Sequence, residues 1–138
     1  MGRDEVIVLD THAVIWSATE DANLGTATRS LITNELNSDK VAVSTITFWE
    51  IAMLAAKGRL QDDVEVAQLR RRFLQGGGTE IAVDGEIAIL AGSLETLHGD
   101  PADRLIAATA IVHDATLITA DRALLAWRHQ LKRQNATK

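Results

Sequence analysis

Apolar residues in this chain fall into short unbroken runs, separated by stretches in which they recur at helical spacing. Val6-Ile7-Val8-Leu9 is unbroken and rich in β-branched residues, which predicts a strand buried on both faces, the habit of a parallel sheet. Thr11 to Trp16 predicts a short helix, with Asp10 or Thr11 as its cap. Asn23 or Thr26 can cap the next helix, which carries Leu31, Ile32 and Leu36 on one side. Val41-Ala42-Val43 predicts the second strand, and Ser44 to Thr47 leads into a helix through Leu54 that Gly58 ends. Asp62 to Leu74 predicts a helix with Arg70-Arg71-Arg72 near its end, where cations suit the dipole. Gly76-Gly77-Gly78 breaks the chain before a third strand, Glu80 to Val83. Asp84 caps a helix through Leu94 with Ile87, Leu90, Ala91 and Leu94 at helical spacing. After the Leu97-His98-Gly99 loop, Asp100-Pro101-Ala102-Asp103-Arg104 opens another helix, with Pro101 in the first turn where its missing N–H costs nothing. Thr116 to Thr119 is the fourth strand, Arg122 to about Leu131 reads as helix, and a polar tail from about Lys132 reads as frayed.

Strands alternating with helices predict an α/β layer structure with a mainly parallel sheet and right-handed crossovers. The sheet has four or five strands on this reading; the fifth has little signal, because Gln130-Leu131-Lys132 does not look like strand. The 138 residues suit a single domain. A chain without cysteine has no disulfide or thiolate metal site, and fits a reducing compartment such as the cytoplasm. Met1 to Glu5 leads into an apolar run that Asp10 breaks at once, which fits neither a signal peptide nor a membrane span. The net charge of −5 argues against a protein that coats nucleic acid nonspecifically. It leaves room for a nuclease with a local basic rim.

Four acids stand out by position: Asp10 at the end of the first strand, Glu50 soon after the second, Asp103 at a helix start and Asp121 just past the fourth strand. Taken singly, each is better read as a helix cap or first-turn acid; Thr47 and Glu50 even have capping-box spacing, and Thr119 can cap the helix containing Asp121. Taken together they change the balance. Loops after parallel strands share one edge of a sheet, and ligands bind in the crevice there. Acids gathered at that edge repel one another unless a cation intervenes, and carboxylates suit a hard ion such as Mg²⁺ or Mn²⁺. An ion that retains waters can polarise a phosphate and acidify the attacking water, so the set points to phosphodiester hydrolysis.

At these residues the chain resembles the PIN-domain ribonucleases, and within them the VapC toxins of bacterial toxin–antitoxin pairs. The matching stretches are Leu9-Asp10-Thr11-His12, Ser44 through Phe48-Trp49-Glu50-Ile51-Ala52, Lys57-Gly58-Arg59-Leu60, Asp100 to Arg104, and Thr119-Ala120-Asp121-Arg122. Each is weak alone; all of them in the family's order span most of the chain. The resemblance implies a three-layer α/β/α PIN fold and a Mg²⁺- or Mn²⁺-dependent endoribonuclease. It also implies a homodimer inhibited by a VapB-type antitoxin, with DNA reached only through that antitoxin. It makes Asp10, Glu50, Asp103 and Asp121 the catalytic quartet, with Asp10, Asp103 and Asp121 as metal ligands and Asp100, Thr11, Thr119, Arg104 and Arg122 in support. The chain departs from the subgroup at Ala102, where a bulkier apolar residue is common, so looser packing is expected there.

Other residues were weighed against these. Arg104 and Arg122 can brace the acids or meet RNA phosphate, or form surface ion pairs. Lys57, Arg59 and the arginine triplet can line a basic rim, though a solvated helix face suits the triplet better. Trp16, Trp49 and Trp127 can stack on RNA bases, with core or dimer burial preferred; Trp16 and Trp49 suggest a dimer surface. His12 reads as packing, and His98, His113 and His129 form no set. The glycine triplet lacks the Gly-Lys-Ser/Thr of a phosphate loop. The rival reading is a non-catalytic PIN-like module whose acids dock a basic partner segment. An aspartyl-phosphate enzyme fits poorly, because His12 stands where a second acid is needed.

Overall fold

The computed structural model describes residues 5–61, 64–97 and 100–138. Met1 to Asp4, the Asp62 start of the expected fourth helix and His98-Gly99 lie outside them. Five strands form one parallel sheet: β1 (Ile7–Leu9), β2 (Val41–Ser44), β3 (Thr79–Ile81), β4 (Thr116–Thr119) and β5 (Arg133–Asn135), in the order β3-β2-β1-β4-β5. The helices are α1 (Thr11–Ala18), α2 (Thr26–Leu36), α3 (Thr45–Ala56), α4 (Val66–Gln75), α5 (Gly85–Ser93), α6 (Pro101–Val112) and α7 (Arg122–Ala126).

Strand alternation divides the core in two. Val8, Ala42 and Leu117 point to one face, where Ile87 and Ala91 of α5, Ile106 and Ala110 of α6, and Leu124 of α7 meet them. Ile7, Leu9, Val41, Val43 and Ile118 point to the other, against Ala13 and Val14 of α1, Ile32 of α2, Ile51 of α3 and Leu69 of α4. Burial of each such aliphatic side chain stabilises by roughly 1.5–3 kcal/mol. This is the expected three-layer α/β/α arrangement. Ala102 is fully buried, as are Ala107, Ala108 and Ala110 of the same helix.

The order of the strands sets the site. From β1 the chain steps outward through β2 to β3, then returns to place β4 on β1's other flank. The direction reverses between β1 and β4, and their carboxyl ends flank the resulting crevice. Asp10 follows one strand and Asp121 the other.

Several expectations change. The last helix stops at Ala126 instead of about Leu131, because Trp127 is extended and buried, with its indole N–H donating to the Glu95 carbonyl at 3.1 Å. His129 stacks on that indole with ring centroids 4.2 Å apart. The chain then forms β5 beside β4, so the segment after Lys132 is not frayed: the Ala136 N–H donates to the Thr119 carbonyl at 2.9 Å, and Ala136 is fully buried. The cap of α2 is neither Asn23 nor Thr26 but Gly25, without a side-chain bond. Instead the Ala27 N–H donates to the Lys138 oxygen at 3.1 Å, and a Cβ at Gly25 would collide with the Lys138 main chain. Thr47 does not cap α3; Ser44 does, accepting from the Ile46 N–H at 3.2 Å. Gly58 ends that helix at φ +68°, as its position predicts.

Candidate active site

Asp10 is the N-cap of α1 and only 4% exposed. Burial drives its pKa up, because the charged form loses water, and the nearby charge of Asp121 adds to the rise. Two donors oppose that: the Thr11 N–H at 2.7 Å to Oδ1 and the Thr119 hydroxyl at 2.6 Å to Oδ2. The same Thr119 oxygen accepts the Asp121 N–H at 3.0 Å, while Asp121 Oδ1 caps α7 through the Leu124 N–H at 3.0 Å. One buried hydroxyl at the end of β4 therefore fixes both acids across the crevice. Thr119 thus does not cap α7 itself; Asp121 does.

Thr11 does the matching work on the other side, its hydroxyl donating to Glu50 Oε1 from α1 to α3. Glu50 is partly buried and its pKa is raised, first by burial and then by Asp10 and Asp100. Asp100 caps α6 through the Ala102 N–H at 2.9 Å and is exposed. Asp103, in the first turn of α6, is partly buried and accepts no hydrogen bond from any described residue. Its carboxyl is pushed up to about 7, by burial first and then by the charges of Asp10, Asp121, Glu50 and Asp100. Asp103 thus lies within electrostatic reach of Asp10, Asp121 and Glu50, and Asp10 of Asp121 and Glu50, although the four come from separate elements.

Whether these residues suit a divalent ion can be judged from their chemistry. The donors are hard oxygens, and their mutual repulsion would be relieved by a cation. Among the described residues no three of the acids come close enough to enclose an ion by themselves. Mg²⁺ is characteristically held by one or two carboxylates with waters completing its shell, so an open acidic cluster fits that ion better than a closed cage would.

Arg104 does not brace the acids. Its guanidinium donates to the carbonyls of Ala91 (3.0 Å), Leu94 (2.8 Å) and Leu97 (2.6 Å), tying the end of α5 to α6. Arg122 is exposed and makes no hydrogen bond or ion pair among the described residues. Arg70 is engaged with Glu80 at 2.6 Å, while Lys57, Arg59, Arg71 and Arg72 are exposed. His12, expected in packing, is exposed instead. Its ring lies within electrostatic reach of both Asp10 and Glu50. The hydroxyl of Thr47 is buried without a partner, a detail that helix spacing alone could not show. On the far side of α1, a groove of about 330 Å³ opens between α1, α2 and α4, lined by Leu9, Val14, Ile32, Leu69 and Phe73 with Arg72 at its edge.

Residues 7–128 match the PIN domain. The chain belongs to the PIN-domain family. This PIN domain is 35% identical over 124 residues to ribonuclease VapC22 of Mycobacterium tuberculosis, covering 89% of the present chain and 92% of that protein. Its fold is similar to that of VapBC2 from Rickettsia felis bound to a promoter DNA fragment (TM-score 0.68, 19% identity, 94% of this chain and 98% of that one). It is similar also to FitAcB from Neisseria gonorrhoeae (TM-score 0.63, 23% identity, 95% and 98%).

Proposed function

We propose that this PIN domain is the endoribonuclease toxin of a type II toxin–antitoxin pair, dependent on Mg²⁺ with Mn²⁺ able to substitute, and acting in the cytoplasm. The observation that carries the reading is the gathering of Asp10, Glu50 and Asp121, linked through Thr11 and Thr119, with Asp103 in electrostatic reach of all three, at the carboxyl edge of a parallel sheet. Homology to a ribonuclease over nearly the whole chain supports it.

Asp10 and Asp103 are assigned as the principal ligands, with Asp121 beside them. When bound, the ion supplies a Lewis acid for a phosphate oxygen and acidifies the attacking water. Thr11 and Thr119 hold both Asp10 oxygens, so the carboxylate is fixed in place without a conformational search. Asp103, with no donor of its own, gains most from a neighbouring cation. Glu50 Oε1 is held by Thr11, which leaves the other oxygen to orient the water and take its proton as the water oxygen bonds to phosphorus and the bridging P–O bond breaks, the departing ribose oxygen taking a proton from solvent.

The partners belong to the same proposal. A VapB-type antitoxin would lay an apolar segment into the groove between α1, α2 and α4, with Arg72 pairing an acid on that segment. VapBC and FitAB complexes among the structures of similar fold support a partner of the antitoxin kind. A homodimer would cover Trp49, which is 52% exposed, whereas Trp16, expected beside it, is partly buried against the core. No described helix is long and apolar enough to cross a membrane.

The test is cleavage of RNA by the purified protein with Mg²⁺ or Mn²⁺, against EDTA and against Asp10→Asn and Asp103→Asn. Each substitution is expected to lower cleavage by about 10²-fold or more. Undiminished cleavage in both, by protein free of contaminating nuclease, would sink the assignment. Tight partner binding by a chain that cleaves nothing and takes up no metal would instead favour the non-catalytic module.

A further inference from the structure

Helix α1 starts at Asp10 and divides into two faces. Val14, Ser17 and Ala18 line the groove. His12 and Trp16, one turn apart, lie on the opposite side of the helix. Their rings are in contact, with centroids 5.8 Å apart and planes tilted by 49°. His12 is exposed, Trp16 is only partly buried, and the imidazole nitrogens have no hydrogen-bond partner among the described residues. His12 is also close enough to Asp10 and Glu50 to act on both carboxylates. An imidazole thus stands open beside the acids, backed by a tryptophan that is itself anchored against the core.

We propose that His12, supported from behind by Trp16, is a docking platform for an unpaired nucleobase adjoining the phosphodiester that is cut. The proposal rests on the ribonuclease reading and adds how this acidic chain grips its substrate. Acids that gather a cation repel the RNA backbone, so affinity must come partly from contacts that do not depend on charge. Stacking on an aromatic face is such a contact, and it selects single-stranded RNA, whose bases are free to leave a helix. The imidazole edge adds a donor and an acceptor with which to prefer one base over another.

The test uses a short mixed-sequence single-stranded oligoribonucleotide. Its Kd is measured with Ca²⁺ in place of Mg²⁺, and KM and kcat are measured with Mg²⁺ or Mn²⁺. His12→Ala is expected to raise Kd and KM about tenfold, the scale of one lost base stack, with a much smaller change in kcat. His12→Phe should recover most of the affinity while altering which base flanks the cut. Quenching of tryptophan fluorescence on RNA binding should shrink in Trp16→Phe. If wild-type protein cleaves but KM, Kd and flanking-base preference are the same in His12→Ala and His12→Phe, the platform is overturned and the ribonuclease reading survives. If wild-type protein cleaves no RNA under any of these ions, both are overturned.

Discussion

Thr119 shows how much one hydroxyl can decide. It donates to Asp10 and accepts from the Asp121 backbone, and it is fully buried. Thr119→Val keeps the shape and removes both bonds, leaving a buried carboxylate oxygen short of a donor. The expected loss is about 1–3 kcal/mol of stability together with weaker Mg²⁺ binding, read by denaturant melts and metal titration. Asp103 makes the complementary case. Its carboxyl rises from the usual 3.8 to about 7 in the fold. Between those values the folded chain keeps a proton that the unfolded chain has released, so stability falls as pH rises. Asp10 and Glu50 shift in the same direction. In EDTA, wild type should therefore lose Tm relative to Asp103→Asn from about pH 4 to about pH 7, and Mg²⁺ should restore it most at the upper end. Coincident melting curves for the two proteins across that range would contradict the coupling. The acids themselves were legible in the sequence because Asp10 and Asp121 follow strands, Asp103 opens a helix and Glu50 sits in the helix directly after the second strand. Arg104 was misread because adjacency to Asp103 in sequence says nothing about where a long side chain reaches.

At the scale of elements, Arg104 is a clasp. It satisfies carbonyls at the end of α5, where a helix otherwise leaves acceptors without partners. Arg104→Met keeps much of the stem and removes the donors. It should destabilise the protein by roughly 2–3 kcal/mol and speed amide exchange in α5 and residues 94–97, with no comparable change in α1. Equal protection in both proteins would remove the clasp. The strands β1, β2 and β4 could be read from their apolar runs, since strands buried on both faces carry little else. β5 could not. Arg133-Gln134-Asn135 has no apolar signal and is strand only because β4 offers an unpaired edge beside it. Local helix propensity likewise continued past Ala126, and burial of Trp127 overrode it.

For the whole molecule, the last residues tie the ends of the fold together. Ala136 bonds to the end of β4 and to Gly25, and Lys138 closes the first turn of α2. Deleting residues 133–138 should lower Tm and reduce cleavage together, because the carbonyl of Thr119 loses its partner beside Asp10. Retention of full activity and stability would show the tail to be dispensable. The sequence by itself determined the layer architecture, the parallel strands and the identity of the acids, because periodicity and strand-end position are properties of local sequence. Only the tertiary structure decided which acids share a field, which threonines hold them, that His12 stands open, and that the polar tail becomes a strand. Those outcomes depend on strand order and on pairing between distant segments, and no local pattern of side chains encodes them.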